Sequence, residues 1–282
     1  MTGAATRPII TAPLFEELDG KLIELLGTLN EHDWMRATIV PRWNVKQIAA
    51  HLLDTALRRL SLDRDREPPP ADAPRIEGPG DLARLVNDLN ARGVEIYGRL
   101  SGRVLIALLR VACRDLREHF LSLDPMATAT WAVSWAGEDR SLNWFDTARE
   151  FTERWHHQQQ IRLAVDRPGI VTPRLYRPVL DTFLRALPYA YRGVPASSGD
   201  VVSVRISGEC GGTWHVRRMP EGWTLADEAD EIPAIATTTI PQELAWRIFT
   251  KGLSYDEARG HVTVEGDERA GTAVLRMIAI VG

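Results

Sequence analysis

PRWNVKQIAAHLLDTALRRLSL, residues 41–62, decides the fold of this chain. Val45, Ile48, Ala49, Leu52, Leu53 and Leu60 recur at the three- and four-residue spacing of an amphipathic helix, so one face is built for a core. Asn44 stands where an N-cap is wanted, and Pro41 lies near the start, where a missing N–H costs nothing. His51 lies mid-helix in IAAHLLD, and a polar ring there needs a partner.

The same periodicity continues on both sides. Phe15 to Leu29 carries apolar residues at 15, 18, 22, 25, 26 and 29. EPPPADAPRIEGPG (67–80) is a Pro/Gly-rich loop. Helix is expected again from about Asp81, interrupted near Gly102, and then through VLIALLRVACRDLREHFLSL. After a Pro/Ala/Thr/Trp segment (125–140), a last strong helix spans Leu142 to Val165 and stops at Pro168 and Gly169. Beyond 170 the style changes. TPRLYRPVLDTFLRALPYAY is helical, and VPASSGD is a linker. VVSVRISG, GTWHVRRM, WTLADEA and IPAIATTTI are short β-rich runs, with GECGG as a hairpin turn between the first two. PQELAWRIFTKG reads as helix, HVTVEG as strand and DERAGTAVLRMIAIV as a closing helix. The expected architecture is α plus α+β: a four-helix bundle over residues 1–168, then a small α+β domain with a leading helix over 169–282.

Composition narrows the function classes. With 44% hydrophobic and 26% charged residues in 282, the chain is globular, not disordered. A net charge of −4 supplies no basic excess, so neither nucleic acid nor a membrane surface is an expected partner. Two cysteines exclude a disulfide framework and a four-thiolate metal site. The longest uncharged run, 125–137, is shorter than the ~20 residues a membrane span needs. MTGAATRPII lacks a basic region followed by an apolar stretch, so a cytoplasmic location is expected.

The densest chemistry is ERWHHQQQ, residues 153–160. Glu153 and His157 are four apart and share a helix face, a spacing that can present two ligands to one ion. An antiparallel neighbour could bring His51 opposite them. Two histidines and one glutamate with an open position is the usual pattern of a catalytic zinc. The bland alternatives are a hydrogen-bonded core His51 and a Glu153 paired with Arg149 or Arg154. Asp54 is a candidate acceptor for His51. His156, rotated about 100° from His157, reads as a neighbour outside the ligand set whose replacement would spare metal. Cys113 reads as a buried apolar residue, and Cys210 sits at a turn.

These features come together in a resemblance. Trp43, Val45, His51 and Leu52 form W-x-V-x-x-x-x-x-H-L, and Glu153 and His157 form E-x-x-x-H. In that order the pattern resembles the mycothiol-dependent maleylpyruvate isomerase-like family, within the DinB-like superfamily, across about residues 10–168. The resemblance implies a divalent metal, zinc, held by His51, Glu153 and His157, and a low-molecular-weight thiol such as mycothiol as cosubstrate. It also implies isomerisation of, or transfer to, a small unsaturated or electrophilic carboxylic acid. The remainder is similar to a sterol-carrier-like domain, ending in HVTVEGDERAGTAVLRM. In that family a second-domain arginine helps hold substrate; here Arg247 or Lys251, one turn apart on an expected helix, could serve. A metal-dependent hydrolase and a non-catalytic ligand-binding protein are the alternatives. The expected partners are a small-molecule substrate and the thiol, with the chain a monomer or homodimer.

Overall fold

The computed structural model describes residues 7–68, 74–75, 78–226 and 233–280. Its helical part contains α1 (Phe15–Gly27), the short α2 (Glu31–Trp34), α3 (Val45–Arg59), α4 (Pro79–Tyr97), α5 (Gly102–Ser122) and α6 (Asn143–Val165). α3 begins where the sequence places its cap. The Asn44 side chain accepts from the Gln47 N–H and the Gln47 side chain accepts from the Asn44 N–H, each at 2.9 Å. This reciprocal pair satisfies two backbone donors at the helix start. Val45, Ile48, Ala49, Leu52 and Leu53 are buried, as the periodicity requires. α3 packs on α4, α5 and α6, and α1 packs on α5 and α6. Phe15 fills the middle, its ring 5.0 Å from that of Phe120 on α5 and 5.4 Å from that of Phe151 on α6.

After α7 (Pro173–Phe183) and α8 (Leu187–Tyr191) come β1 (Val201–Ser207), β2 (Gly212–Met219), β3 (Gly222–Ala226), β4 (Ala236–Pro241), α9 (Gln242–Phe249), α10 (Tyr255–Arg259), β5 (Thr263–Gly266) and α11 (Glu268–Thr272). The strands form one mixed sheet in the order β3-β2-β1-β4-β5. β1 and β4 pair in parallel and the other pairs are antiparallel. Val202, Val204 and Ile206 of β1 are buried, with Val216 of β2 and Ile240 of β4. Val201 and Ser203 of β1 are buried as well, so β1 alternates only at its end, whereas β4 alternates along its length. A helical region followed by a small mixed-sheet region is the expected fold class.

α7 couples the two regions. The Tyr176 ring stacks on Trp155 of α6 at 4.3 Å and 4°, and Trp246 of α9 meets Trp155 edge-on at 6.2 Å. The Tyr176 hydroxyl donates to the Gln242 carbonyl at 2.7 Å and accepts from the Trp246 N–H at 3.2 Å. Aromatic contacts of this kind add about 0.5–1.5 kcal/mol each beyond the area they bury.

Two expected helices end early. α9 stops at Phe249, so Lys251 is not one helical turn from Arg247: it sits beyond the helix with φ 62°. The Gly252 N–H donates to the Arg247 carbonyl at 2.7 Å, the bond of a helix-terminating motif that needs the preceding residue left-handed. The closing segment is helical only through Arg276. Met277 and Ala279 are buried while Ile278 between them is exposed, and the Ala279 N–H donates to the Phe249 carbonyl at 2.9 Å. Period-two burial and a tertiary backbone bond hold that end extended. The end of the third expected strand, 227–229, lies outside the described residues, as does part of the 67–80 loop.

Candidate metal centre

α3 and α6 run antiparallel, with His51 facing His157 at one end of their seam and Arg59 facing Asp146 at the other. The His51 and His157 rings meet edge-on, 4.6 Å between centroids. The Trp43 ring lies 4.8 Å from His51 and 6.2 Å from His157, so its apolar face shields both imidazoles. His51, His156 and His157 are all buried, while Glu153 is partly exposed.

The hydrogen bonds assign the tautomers. His157 Nδ1 lies 2.8 Å from Gln160 Oε1, and His156 Nδ1 lies 2.9 Å from the Thr152 carbonyl. Both oxygens can only accept, so each Nδ1 carries the proton and each Nε2 carries a lone pair. Each of those Nε2 atoms is 3.8 Å from Glu153 Oε2. Among the described residues, Glu153, His156 and His157 form the group whose donor atoms all lie within 4.8 Å of one another. His51 adjoins this group through His157, and its Nδ1 is buried with no hydrogen-bond partner. A buried polar atom of that kind calls for a partner such as a water or an ion.

Burial sets the charge state. Desolvation pushes the His156 imidazole down to about 4, opposed by its bond to Thr152. Desolvation and the neighbouring His156 push His157 down to about 3, against the pull of Glu153. His51 falls well below its ordinary value, mainly by burial and then by His157. Burial also raises the Glu153 carboxyl, partly offset by His157 and Arg149. The site is therefore two neutral imidazoles beside one carboxyl, with the neutral His51 ring packed against His157. Lone pairs face a carboxylate across 3.8 Å, too long for a hydrogen bond and mutually repulsive without a cation between them. Donors around a tetrahedral zinc at 2.0–2.1 Å stand about 3.4 Å apart, so the cluster fits such an ion after small rotations.

Other expected residues take other roles. Asp54 does not meet His51. It pairs with Arg58 at 2.8 Å and backs onto Gly93, where any side chain would collide with its carboxylate. Cys113 accepts from Arg154 Nη2 at 2.8 Å, and burial raises its thiol to about 12, so it is inert. Arg154 pairs with Asp19, not with Glu153. Arg149 bonds Asp146 and Glu150 and sets a positive charge one turn from Glu153. Arg247 lies on α9, its Nε buried without a hydrogen-bond partner and its charge beside Glu257. α9 reaches α6 at Trp155, about 200° around that helix from His157. His156, read from the sequence as outside the ligand set, lies in one group with Glu153 and His157; E-x-x-H places it three residues from Glu153, a spacing that also shares a helix face.

Fold and cluster together define a helical-bundle protein with a buried His/Glu centre and an appended mixed-sheet region. Residues 15–162 match the family model of the mycothiol maleylpyruvate isomerase N-terminal domain, and the chain belongs to that family. A solved structure of a histidine-to-alanine variant of the mycothiol-dependent maleylpyruvate isomerase shares the fold, with TM-score 0.52 and 11% identity over 92% of this chain and 94% of that one. A structure of the mycothiol-dependent maleylpyruvate isomerase gives TM-score 0.48 and 13% identity over the same shares. No curated protein sequence matches the chain. Among the described residues no helix is long and apolar enough to cross a membrane.

Proposed function

We propose that this chain is a thiol-dependent, metal-dependent isomerase or transferase acting on a small unsaturated carboxylic acid, with mycothiol or a similar thiol as cosubstrate. The observation that carries this reading is the set of unprotonated donors held around Glu153 with no proton to share. His51, Glu153 and His157 would hold the ion, and the donor set of imidazoles and a carboxylate suits zinc. A divalent metal bound there stabilises a thiolate over its thiol, so the sulfur becomes nucleophilic near neutral pH. Gln160 fixes the His157 tautomer, and Trp43 excludes water from the imidazole faces. Isomerisation by this route adds sulfur to one carbon of a double bond, leaves a single bond free to rotate, and expels the same sulfur. The thiol returns unchanged.

For the substrate carboxylate, Arg149 supplies charge beside Glu153, while Arg247 and Lys251 are the candidates from the second region. We place the division between a metal-binding bundle and a sterol-carrier-like domain at residues 168 and 169. The test is metal analysis of the purified full chain, followed by turnover of maleylpyruvate-like acids with and without thiol. About one zinc per chain and strict thiol dependence are expected. A metal-free protein that neither takes up zinc nor needs thiol overturns the reading. An Arg247→Ala/Lys251→Ala variant should raise KM with kcat little changed if these residues bind the carboxylate.

A further inference from the structure

We propose that the groove between α1 and α5 is a binding site for a small zwitterion, its cationic group toward the α1 wall and its anionic group toward the α5 wall. The inference is independent of the metal reading above, because the groove lies on another seam of the bundle. α1 and α3 each pack on both α5 and α6, so the α1–α5 seam stands opposite the α3–α6 seam that holds the histidine cluster.

The groove holds about 540 Å3, within the roughly 300–1,000 Å3 of small-molecule sites. Its walls carry opposite charge: Glu16, Asp19 and Glu24 line it from α1, and Arg110, Arg114 and Arg117 line it from α5. Phe15 lies against Phe120, Glu16 against Arg117, and Asp19 and Cys113 share Arg154, so the two helices run antiparallel. Glu24 and Arg110 therefore lie toward the end of the groove away from the Glu16–Arg117 pair.

Opposite charges on the two walls of a closed seam would pair across it. Among the described residues one such pair spans this groove, Arg117 with Glu16 at 2.8 Å. Arg114 turns instead to Asp115 on its own helix at 2.9 Å, and the Arg110 guanidinium has no hydrogen-bond or ion-pair partner among the described residues. At the floor, Asp19 is 5% exposed. Its Oδ1 accepts from Arg154 Nε at 2.8 Å, while its Oδ2 makes no hydrogen bond. A ligand N–H that reached this carboxylate would satisfy the oxygen that Arg154 leaves over.

Gly20 keeps the middle of the groove open. It lies inside α1, where glycine is less stable than alanine, yet a Cβ added there would meet nothing within 4 Å. No neighbour requires a glycine at this position, and the missing side chain leaves the space between Asp19 and Arg114 to a ligand. An anion alone is repelled by the α1 wall and a cation alone by the α5 wall. A zwitterion lying across the groove meets both walls with favourable sign.

The test titrates glycine, β-alanine and γ-aminobutyrate, which differ in charge separation, into the full chain and follows backbone amides by NMR. The carboxylic acid and the amine of the same chain length as the tightest probe serve as single-charge controls. Saturable binding of at least one amino acid is expected, with shifts confined to α1 and α5, and each single-charge control should bind about tenfold more weakly or worse. Gly20→Leu, which fills the groove, and Arg110→Ala, which removes the unpaired cation, should each weaken the tightest probe by about tenfold or more. Circular dichroism reports folding of both variants, and zinc uptake, read separately, should equal that of the unaltered chain. No saturable binding of any of the three probes, equal binding of a single-charge control, or unchanged binding in both folded variants overturns the site and leaves the metal reading untouched.

Discussion

The α3–α6 seam carries two buried polar clusters, and they are built on opposite principles. At one end Arg59 pairs with Asp146 at 2.6 Å and Asp63 at 3.1 Å, and Arg149 pairs with Asp146 at 2.8 Å. His119 meets Asp63 at 2.8 Å, and the Arg59 guanidinium lies 4.3 Å over the Trp131 ring. Every charge there touches an opposite one. At the other end, two turns away along α3, His156 and His157 lie beside Glu153 and the His51 ring packs against His157. The first cluster ties together α3, α5, α6 and the 125–140 segment through opposite charges, although Arg59 Nε and Nη1 make no hydrogen bond. The second sets neutral imidazoles beside a carboxyl, a donor set that could hold a metal ion. Burial of polar groups and atoms without a partner are common to both, so neither marks function alone; what differs is that one end pairs opposite charges and the other groups neutral lone-pair donors.

The largest expected effect comes from breaking the ion-paired cluster. Asp146→Ala leaves Arg59 and Arg149 short of a partner in the interior and should cost about 3–5 kcal/mol in urea unfolding. Zinc affinity of the folded fraction should stay within about threefold, a reading that separates the two ends of the seam. Next, Glu153→Gln and His157→Gln should each weaken zinc binding by more than ~100-fold, since loss of a supporting group alone costs 10–100-fold. Metal-free stability should hold or rise in Glu153→Gln, because a desolvated carboxyl has been removed. A large loss of metal-free stability would make the second cluster structural like the first.

Acid should distinguish the clusters in metal-free protein. His156 and His157 titrate near 4 and 3 in the fold, below an unfolded value of about 6.5. The stability their neutral forms contribute is full above about pH 6.5 and is lost as pH falls toward those values, roughly 1 kcal/mol per pH unit for each ring. Burial raises the carboxyls of Asp63 and Asp146, but His119 and Arg59 on the first, and Arg149 and Arg59 on the second, outweigh it and hold both below the usual range. Their contribution survives until pH drops below the ordinary carboxylate value near 3.8. Denaturant melts between pH 7 and 5 should thus slope with the histidines and flatten in His157→Gln. An unchanged slope would place the acid sensitivity elsewhere. The smallest effect is the exposed control: Glu95 and Arg99, paired at 2.8 Å on α4 and the turn after it, should contribute less than about 0.5 kcal/mol when Glu95→Gln removes the pair.

Much of the fold was legible because local rules and packing agree. The apolar stripes at 15–29 and 41–62, the Asn44 cap and the stop at Pro168 and Gly169 each act within a few residues, and the helices follow them. The ends of α9 and of the chain were not legible. The backbone bond from Gly252 to Arg247 and that from Ala279 to Phe249 outweigh a helical-looking pattern, and the second joins residues thirty positions apart.

For the candidate centre the division is similar. Sequence alone determined that Glu153 and His157 share a face, because a helix has 3.6 residues per turn. The same geometry offered His156 at the i, i+3 position, but helical offset argued against it. Tertiary structure decided which rings converge. Only the packing of α3 on α6 sets His51 against His157, and only the Thr152 and Gln160 acceptors fix which nitrogen of each α6 histidine carries its proton. Proton placement follows from hydrogen-bond partners and burial, and both are properties of a packed interior that residue spacing does not encode.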